Sequence, residues 1–205
     1  MVMGQEVGLR GIWALERKPL SDAEGVRELW AGALLATGEE AVDYDLNQRG
    51  QWRAFDADRL IVDTLTQRTQ LVMVRLASGG VLALSTGKHG ERPRLVAELR
   101  VTSTEHSKRV DALTSAAVQL MHSRLVFARH DQSEGAAYDE AVCVFLASSG
   151  ELPQRLRSLQ AAIPKLDVQS TPAGWQARVS PEALSPSARS DWQAFCDAIS
   201  ADVLT

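Results

Sequence analysis

The chain of 205 residues is 45% hydrophobic and carries a formal net charge of −4 at pH 7. This apolar content suffices for a packed core and argues against a disordered chain. The acidic balance argues against direct nucleic-acid binding, which needs a clustered positive field. No apolar run approaches the roughly 20 residues that span a bilayer, and the N-terminus lacks a basic stretch followed by an apolar one. We therefore expect a cytoplasmic protein without membrane contact.

The two cysteines lie in apolar surroundings. Cys143 falls in a strand-like run and Cys196 in a helix-like run. This placement is typical of small buried hydrophobic side chains rather than of a disulfide framework or a metal site, and it indicates a reducing compartment. We expect neither a metal nor a cofactor.

The first predicted elements are a strand and a helix. Residues 7–15 alternate between apolar and small or polar positions, as an amphipathic strand does. Ser21 with Glu24 three residues later forms a capping-box pattern, and apolar residues then recur at helical spacing until Gly38. The sequence therefore predicts a helix over about 21–37 whose apolar face lies on a sheet.

The acidic segment between Gly38 and Asp63 contains seven carboxylates and three arginines, with aromatic residues between them. Steering charge combined with aromatic anchors is typical of a docking surface for a basic protein. The predicted partner-binding residues are Asp43, Tyr44, Asp45, Trp52, Asp56 and Asp58. A solvated loop whose aromatic side chains enter the core explains the same residues, and Leu60–Leu65 fits either a short helix or a strand.

The strongest pattern of the chain lies in residues 70–102. Leu71–Leu76 is apolar at nearly every position, which is typical of a strand covered on both faces. Gly79 and Gly80 permit a tight hairpin turn, and residues 94–101 alternate as a strand with one mostly polar face. The sequence therefore predicts a three-stranded antiparallel meander.

The residue pattern in the second half of the chain predicts three more helices and several strands. The elements are a helix over about 104–123, strands at 125–128 and 141–147, a short helix ending before Pro164, a hairpin around Thr-Pro-Ala-Gly, and a helix over about 186–203. We therefore predict an α+β fold with a mostly antiparallel sheet. The expected organisation is one domain over residues 1–205, with a small C-terminal subdomain over 151–205 as the alternative.

Catalytic signals are weak, and we predict no catalytic residues. The alternative is a small metal- or phosphate-handling hydrolase. His130 and Asp131 form a pair of the kind found in metal phosphohydrolases, but no spacing supplies the other ligands. Lys88 and His89 lie in a loop whose glycine amides and cation suit a phosphate, but this loop joins two strands and does not open a helix.

A third hypothesis is a structural subunit of an assembly. The final helix carries a regular apolar stripe, and an uncovered strand edge would offer a second interface. Exposure of Trp192 or Phe195 in the single chain would favour this hypothesis.

Both ends of the chain carry a glycine–tryptophan arrangement. Gly11-Ile12-Trp13 lies on the first predicted strand before a capped helix, and Gly174-Trp175 lies on a late strand before the final helix. This arrangement resembles the immunity proteins of bacterial polymorphic toxin systems, although Ala14 follows Trp13 where a glycine is expected. The resemblance implies a non-catalytic cytoplasmic protein that binds and inhibits one cognate toxin, often a nuclease. The sequence leaves the oligomeric state open.

Overall fold

The computed structural model has an α+β fold built on one mostly antiparallel sheet, as the sequence predicts. It describes residues 6–15, 20–66, 69–87, 93–102, 105, 108–113, 115, 125–130, 140–147, 151–171, 174–180 and 184–204.

Within these residues, ten strands form a single sheet in which every neighbouring pair is antiparallel. They are β1 (Glu6–Ala14), β2 (Ala41–Leu46), β3 (Arg53–Ala54), β4 (Leu71–Leu76), β5 (Val81–Ser85), β6 (Arg94–Thr102), β7 (Leu125–His130), β8 (Glu140–Ala147), β9 (Asp167–Thr171) and β10 (Gly174–Arg178). Their order across the sheet is β3-β2-β4-β5-β6-β1-β7-β8-β10-β9, so β1 lies near the middle.

Helical segments pack on this sheet. They are α1 (Ala23–Thr37), α2 (Ala57–Leu65), α3 (residues 108–113), α4 (Gln154–Ala162) and α5 (Pro186–Leu204). The predicted first and last helices are confirmed as α1 and α5. The helix predicted over 104–123 appears as α3, and most of its remaining residues lie outside the described part of the chain.

The first helix begins one residue later than the predicted cap. The side chain of Asp22, not that of Ser21, accepts a hydrogen bond from the amide of Gly25 at 2.8 Å. This bond satisfies one of the amides that a helix start leaves without a partner. Gly38 ends α1 in the left-handed region at φ 62°, as its position in the sequence predicts.

The predicted meander is confirmed as β4, β5 and β6. At its first turn the amide of Leu76 donates to the carbonyl oxygen of Gly80 at 2.8 Å, and Gly79 has φ 85°. A Cβ atom on Gly80 would lie 2.8 Å from the carbonyl oxygen of Glu98 on β6. The turn therefore needs both glycines, Gly79 for its backbone angle and Gly80 for its close approach to β6.

Two hydrophobic clusters lie on opposite faces of the sheet. Cys143 and Val144 are consecutive on β8 and both fully buried, yet they belong to different clusters. Successive strand residues point to opposite faces. We call the Cys143 side the front face, which α1, α2 and α3 cover, and the Val144 side the back face, which α4 and α5 cover over β8 and β10. Both cysteines are buried thiols outside any disulfide, as predicted, and burial raises the pKa of the Cys196 thiol.

The back face of β4, β5, β6 and β1 is not covered by any described helix. Across these strands Met73, Ala83, Val96 and Ile12 lie directly opposite one another and are partly exposed. The prediction that Leu71–Leu76 is covered on both faces is therefore wrong for the described chain, since only its front-facing residues are fully buried.

Candidate protein-binding edge

The acidic segment is not the loop that its composition indicates, because it contains β2, β3 and α2. Leu60–Leu65, which fits either a helix or a strand, lies in α2. We call Ala41–Leu65, which lies at the β3 end of the sheet, the acidic edge. Its six predicted binding residues separate into an interior pair and an outer group.

Tyr44 is one of the interior pair. Its side chain is completely buried on the front face under α2, and its hydroxyl donates to Oδ2 of Asp63 at 2.8 Å. Arg53 donates to the same oxygen at 3.2 Å. Burial, with the bond to Asp63, raises the pKa of Tyr44. The expectation that this aromatic ring is a surface anchor is therefore wrong, and the ring is a core residue.

Asp45 is the second interior residue, with only 3% of its surface exposed. Its carboxylate accepts hydrogen bonds from the amides of Leu46 at 2.8 Å, Gly50 at 2.8 Å and Gln51 at 3.3 Å. A carboxylate that accepts several amides in this way fixes the turn after the strand. The expected exposure of Asp45 is also wrong, and its role in the structure is to hold the turn between β2 and β3.

Asp56 and Asp58 lie in the outer group at the start of α2. Asp56 is exposed and caps the helix, accepting the amide of Arg59 at 3.0 Å. Asp58 is exposed in the first turn, 3.5 Å from the guanidinium of Arg27 on α1. A carboxylate in the first helical turn is favoured by the helix dipole. Both side chains are accessible from solvent.

Asp43 and Trp52 meet at Arg75 on β4. The guanidinium of Arg75 donates to both carboxylate oxygens of Asp43, through Nε at 2.9 Å and through Nη2. The same guanidinium lies 4.6 Å from the centre of the Trp52 ring, within cation–π range. Trp52 is 37% exposed, so this contact holds an accessible indole in one place. The sequence signal for Arg75 was its position as a charged residue in an otherwise apolar strand.

Apolar side chains are exposed beside these carboxylates. Val42 is 50% exposed and Val62 is 64% exposed, and neither was predicted as a binding residue. Together with Trp52 they make three of the four large apolar side chains that the described residues leave exposed, the other being Leu35 on α1. Exposed apolar groups among charges are a frequent feature of protein-binding surfaces.

Two concave sites are lined by described residues, one small and one open. A pocket of about 200 Å³ lies beside the acidic edge, which is below the roughly 300 Å³ of typical ligand sites. It is lined by Leu46, Asn47, Arg49, Gln51, Arg53 and Thr69. A wider open groove of about 500 Å³ runs between α4 and α5. The acidic edge therefore presents a surface for a macromolecule more readily than a pocket for a small ligand.

Most residues of the hydrolase hypotheses lie outside the described part of the chain. Lys88, His89 and Asp131 lie outside the described residues, and His130 ends β7 opposite Gly8. Among the described residues, no group of three or more His, Cys, Asp or Glu side chains is arranged to hold a metal ion.

The exposure that would favour an assembly subunit is absent at Trp192, a residue of α5 that is 1% exposed and belongs to the core of the back face. Phe195 stacks on Trp192 with ring centres 6.0 Å apart and is half-buried at the groove between α4 and α5.

Comparison with known proteins identifies a fold and no family. No family model and no curated protein matches the chain. Among solved structures, the fold is similar to that of "Pseudomonas aeruginosa T6SS protein PA0821", with a TM-score of 0.53 and 8% identity. The match covers 97% of this chain and 80% of that chain. At this identity the likeness shows the fold alone. In the described part of the chain, no helix has the length and apolar character needed to cross a membrane.

Proposed function

We propose that this chain is a non-catalytic protein-binding domain that inhibits a cognate toxin, and that it binds through the acidic edge. The observation that carries the proposal is the exposed Trp52 ring held over Arg75 on the back side of the acidic edge. Val42 on β2 and, on the front side, Val62 on α2 add exposed apolar side chains to this edge. An aromatic side chain already fixed by a cation–π contact loses little conformational entropy on binding. It therefore suits the role of a binding anchor.

The carboxylates of the edge indicate the charge of the partner. Asp56 and Asp58 are exposed at the start of α2, and Asp43 lies beside Trp52. A basic partner, such as a nuclease toxin, would be steered to this edge, and its association would slow as salt screens the charges. The resemblance to immunity proteins motivates this role, and the likeness of fold to a T6SS protein is compatible with it.

The test begins with capture of a partner from lysate of the source cell. The bait is the full chain, compared with a Trp52→Ala, Val62→Ser double variant. Leu35→Ser is the matched control, because Leu35 is an exposed apolar residue on α1 outside the edge. We expect wild type and control to retain the same basic protein and the double variant to lose it. Asp45 and Asp56 are left unchanged because they fix a turn and a helix start.

Growth assays then test inhibition. Expression of the captured protein should arrest a bacterial host, and co-expression of the wild-type chain should restore growth, whereas co-expression of the double variant should not. A captured protein that is harmless alone, or one that the double variant neutralises equally well, contradicts the proposal.

A further inference from the structure

The small pocket beside the acidic edge has an interior chemistry unlike that of the carboxylates around it. We call it the turn pocket, because the turn between β2 and β3 forms most of its wall. Of its described lining residues, all but Leu46 carry hydrogen-bond donors in their side chains, and none is a carboxylate. Its volume of about 200 Å³ leaves room for a single side chain rather than for a whole small ligand. The pocket therefore has the chemistry of a receptor for one anionic group.

The buried hydroxyl of Thr69 points to a ligand in this pocket. Thr69 lines the pocket and is only 5% exposed. Its amide donates to the carbonyl oxygen of Thr66 at 2.9 Å, and its carbonyl oxygen accepts the hydroxyl of Thr86 at 2.9 Å. Its own hydroxyl has no hydrogen-bond partner in the described part of the chain. Buried polar groups in folded proteins are nearly always hydrogen-bonded, so this hydroxyl is available to a ligand atom that enters the pocket.

The wall formed by the β2–β3 turn is fixed in advance. Besides the three amides that Asp45 accepts, the side-chain oxygen of Asn47 accepts the amides of Gln70 at 2.7 Å and Leu71 at 3.1 Å, which ties the turn to β4. Asn47 and Gln48 both have left-handed backbone angles, with φ of 57° and 55°. Glutamine rarely adopts this conformation, which persists only where the surroundings determine it. A wall held in this way loses little conformational entropy when a ligand binds.

The charges that face the pocket favour a ligand with one negative charge. Arg53 donates to Asp63 at 3.2 Å, so its charge is already matched. Arg49 is exposed and has no hydrogen-bond or ion-pair partner among the described residues. One unmatched guanidinium suits a carboxylate, with which it forms charge-assisted hydrogen bonds. A phosphate monoester carries nearly two negative charges and would leave one of them unmatched.

The exposed carboxylates of the acidic edge lie at the other end of α2. Asp56 and Asp58 are at its start, whereas Thr69 follows its end, and a helix of this length spans roughly 14 Å. Exposed charges separated by more than about 8 Å are largely screened at physiological ionic strength. One partner surface can therefore present basic residues to the start of α2 and a carboxylate to the turn pocket.

We propose that the turn pocket binds one side-chain carboxylate, from Asp or Glu, of the partner protein. The guanidinium of Arg49 pairs with this carboxylate, and the hydroxyl of Thr69 and the side-chain amide of Gln51 donate to its oxygens. The inference rests on the proposed function, because the carboxylate belongs to the partner that the acidic edge binds. The basic docking surface of that partner then carries one acidic residue, which distinguishes it from basic proteins that lack one.

The first experiment tests the pocket on the full chain without a partner. N-acetylglutamate N-methylamide is titrated while NMR follows the backbone amide resonances of Gln51 and Thr69. The glutamine analogue of this probe is the uncharged control, and inorganic phosphate is the competing anion. The variants are Arg49→Gln and Thr69→Val. Arg155→Gln is the matched control, because Arg155 is an exposed arginine on α4, away from the pocket.

We expect saturable shifts with the glutamate probe, and weaker binding of the glutamine analogue and of phosphate. Arg49→Gln and Thr69→Val should each weaken binding by about fivefold or more, because each removes a hydrogen bond to a charged group. Arg155→Gln should bind as wild type does, and Thr69→Val should keep the wild-type unfolding temperature. The inference is overturned if the probe does not bind, if the glutamine analogue or phosphate binds more tightly, or if both pocket variants bind as wild type does.

The second experiment separates this inference from the proposed function. Arg49→Gln and Arg155→Gln are used as baits beside wild type and the double variant at Trp52 and Val62. We expect Arg49→Gln to retain less of the partner than Arg155→Gln does. Full retention by Arg49→Gln, with loss by the double variant, keeps the proposed function and overturns the carboxylate contact. If wild type retains no protein although the glutamate probe binds, the proposed function fails and the carboxylate preference of the pocket stands.

Discussion

The two halves of the sheet each leave one face largely without helices, and these two faces differ in composition. On the front face of the C-terminal half, β9 and β10 present Gln169, Gln176 and Arg178, and Arg178 is bound to Asp111 of α3. On the back face of the N-terminal half, Ala83 and Val96 belong to one apolar row with Met73 and Ile12, and charged residues lie in the rows on either side, among them Arg75, Arg94 and Glu98. Both faces therefore carry polar or charged side chains where a helix is absent, as expected for a sheet in water. The comparison teaches that only the N-terminal half keeps a continuous apolar row among them.

The largest expected effect comes from one substitution made at two places in the same residue row. Val144→Asp buries a carboxylate without a partner under α4 and α5 and should lower the free energy of unfolding by at least about 4 kcal/mol. Val96→Asp, on the back face of β6 where no described helix lies, should cost about 1 kcal/mol because the carboxylate reaches water. Urea unfolding measures both values. Equal losses would mean that this part of the back face is covered in solution.

A smaller effect is expected at the turn that joins β4 to β5. Gly80→Ala places a Cβ atom 2.8 Å from the carbonyl oxygen of Glu98 and should cost about 2 kcal/mol, since backbone must move between β5 and β6. Gly79→Ala is the matched control, with no atom within 4 Å but φ 85°, and should cost about 1 kcal/mol from backbone strain alone. Unfolding curves of both variants test this order, which a larger loss for Gly79→Ala would contradict.

The next prediction concerns Tyr44, which lies on the covered front face of β2. Tyr44→Phe removes the hydrogen bond to Asp63 and should lower the free energy of unfolding by about 1 kcal/mol. Because the pKa of Tyr44 is raised, the folded state holds this proton more tightly than the unfolded state does. The contribution of protonated Tyr44 to the free energy of unfolding is complete below the ordinary tyrosine pKa of about 10. It is lost as the pH rises through the higher pKa of the folded state.

Absorbance of the phenolate checks this titration directly. Tyr138→Phe leaves Tyr44 as the single tyrosine of the chain. The folded protein should then titrate at a higher pH than the same variant in denaturant, and coincident curves would show that Tyr44 is not held in the core as described.

The smallest expected effect is at Arg100. Arg100→Glu changes an exposed charge on β6 and should alter the free energy of unfolding by less than about 0.5 kcal/mol. Thermal unfolding of the variant measures this change. A loss of stability well above this value would show that Arg100 supports the fold.

The sequence predicted those helices and strands that are specified by residues close together in the chain. The meander follows from an apolar run, two glycines and an alternating strand, and α1 and α5 follow from apolar residues at helical spacing with recognisable ends. The sheet order was not predictable, because pairing of β1 with β6 and β7 joins residues that lie far apart in the chain.

The candidate site was harder to predict than the fold. Asp43, Tyr44 and Asp45 look alike as surface residues in the sequence, but alternation along β2 turns Tyr44 into the core and its neighbours to the other face. The burial of Asp45 depends on amides of a turn that the sequence pattern did not reveal. The anchor at Trp52 depends on Arg75, which β4 supplies from a different part of the chain.

The central position of β1 has a consequence for biosynthesis. This strand is synthesised before both of its neighbours, because Gly8 pairs with Arg100 on one side and with His130 on the other, so both of its edges stay unpaired until β6 and β7 are made. Closure of such long loops is entropically costly and slow, and an open strand edge promotes aggregation. A nascent chain that stalls before β7 therefore leaves one edge of β1 unpaired and prone to aggregation.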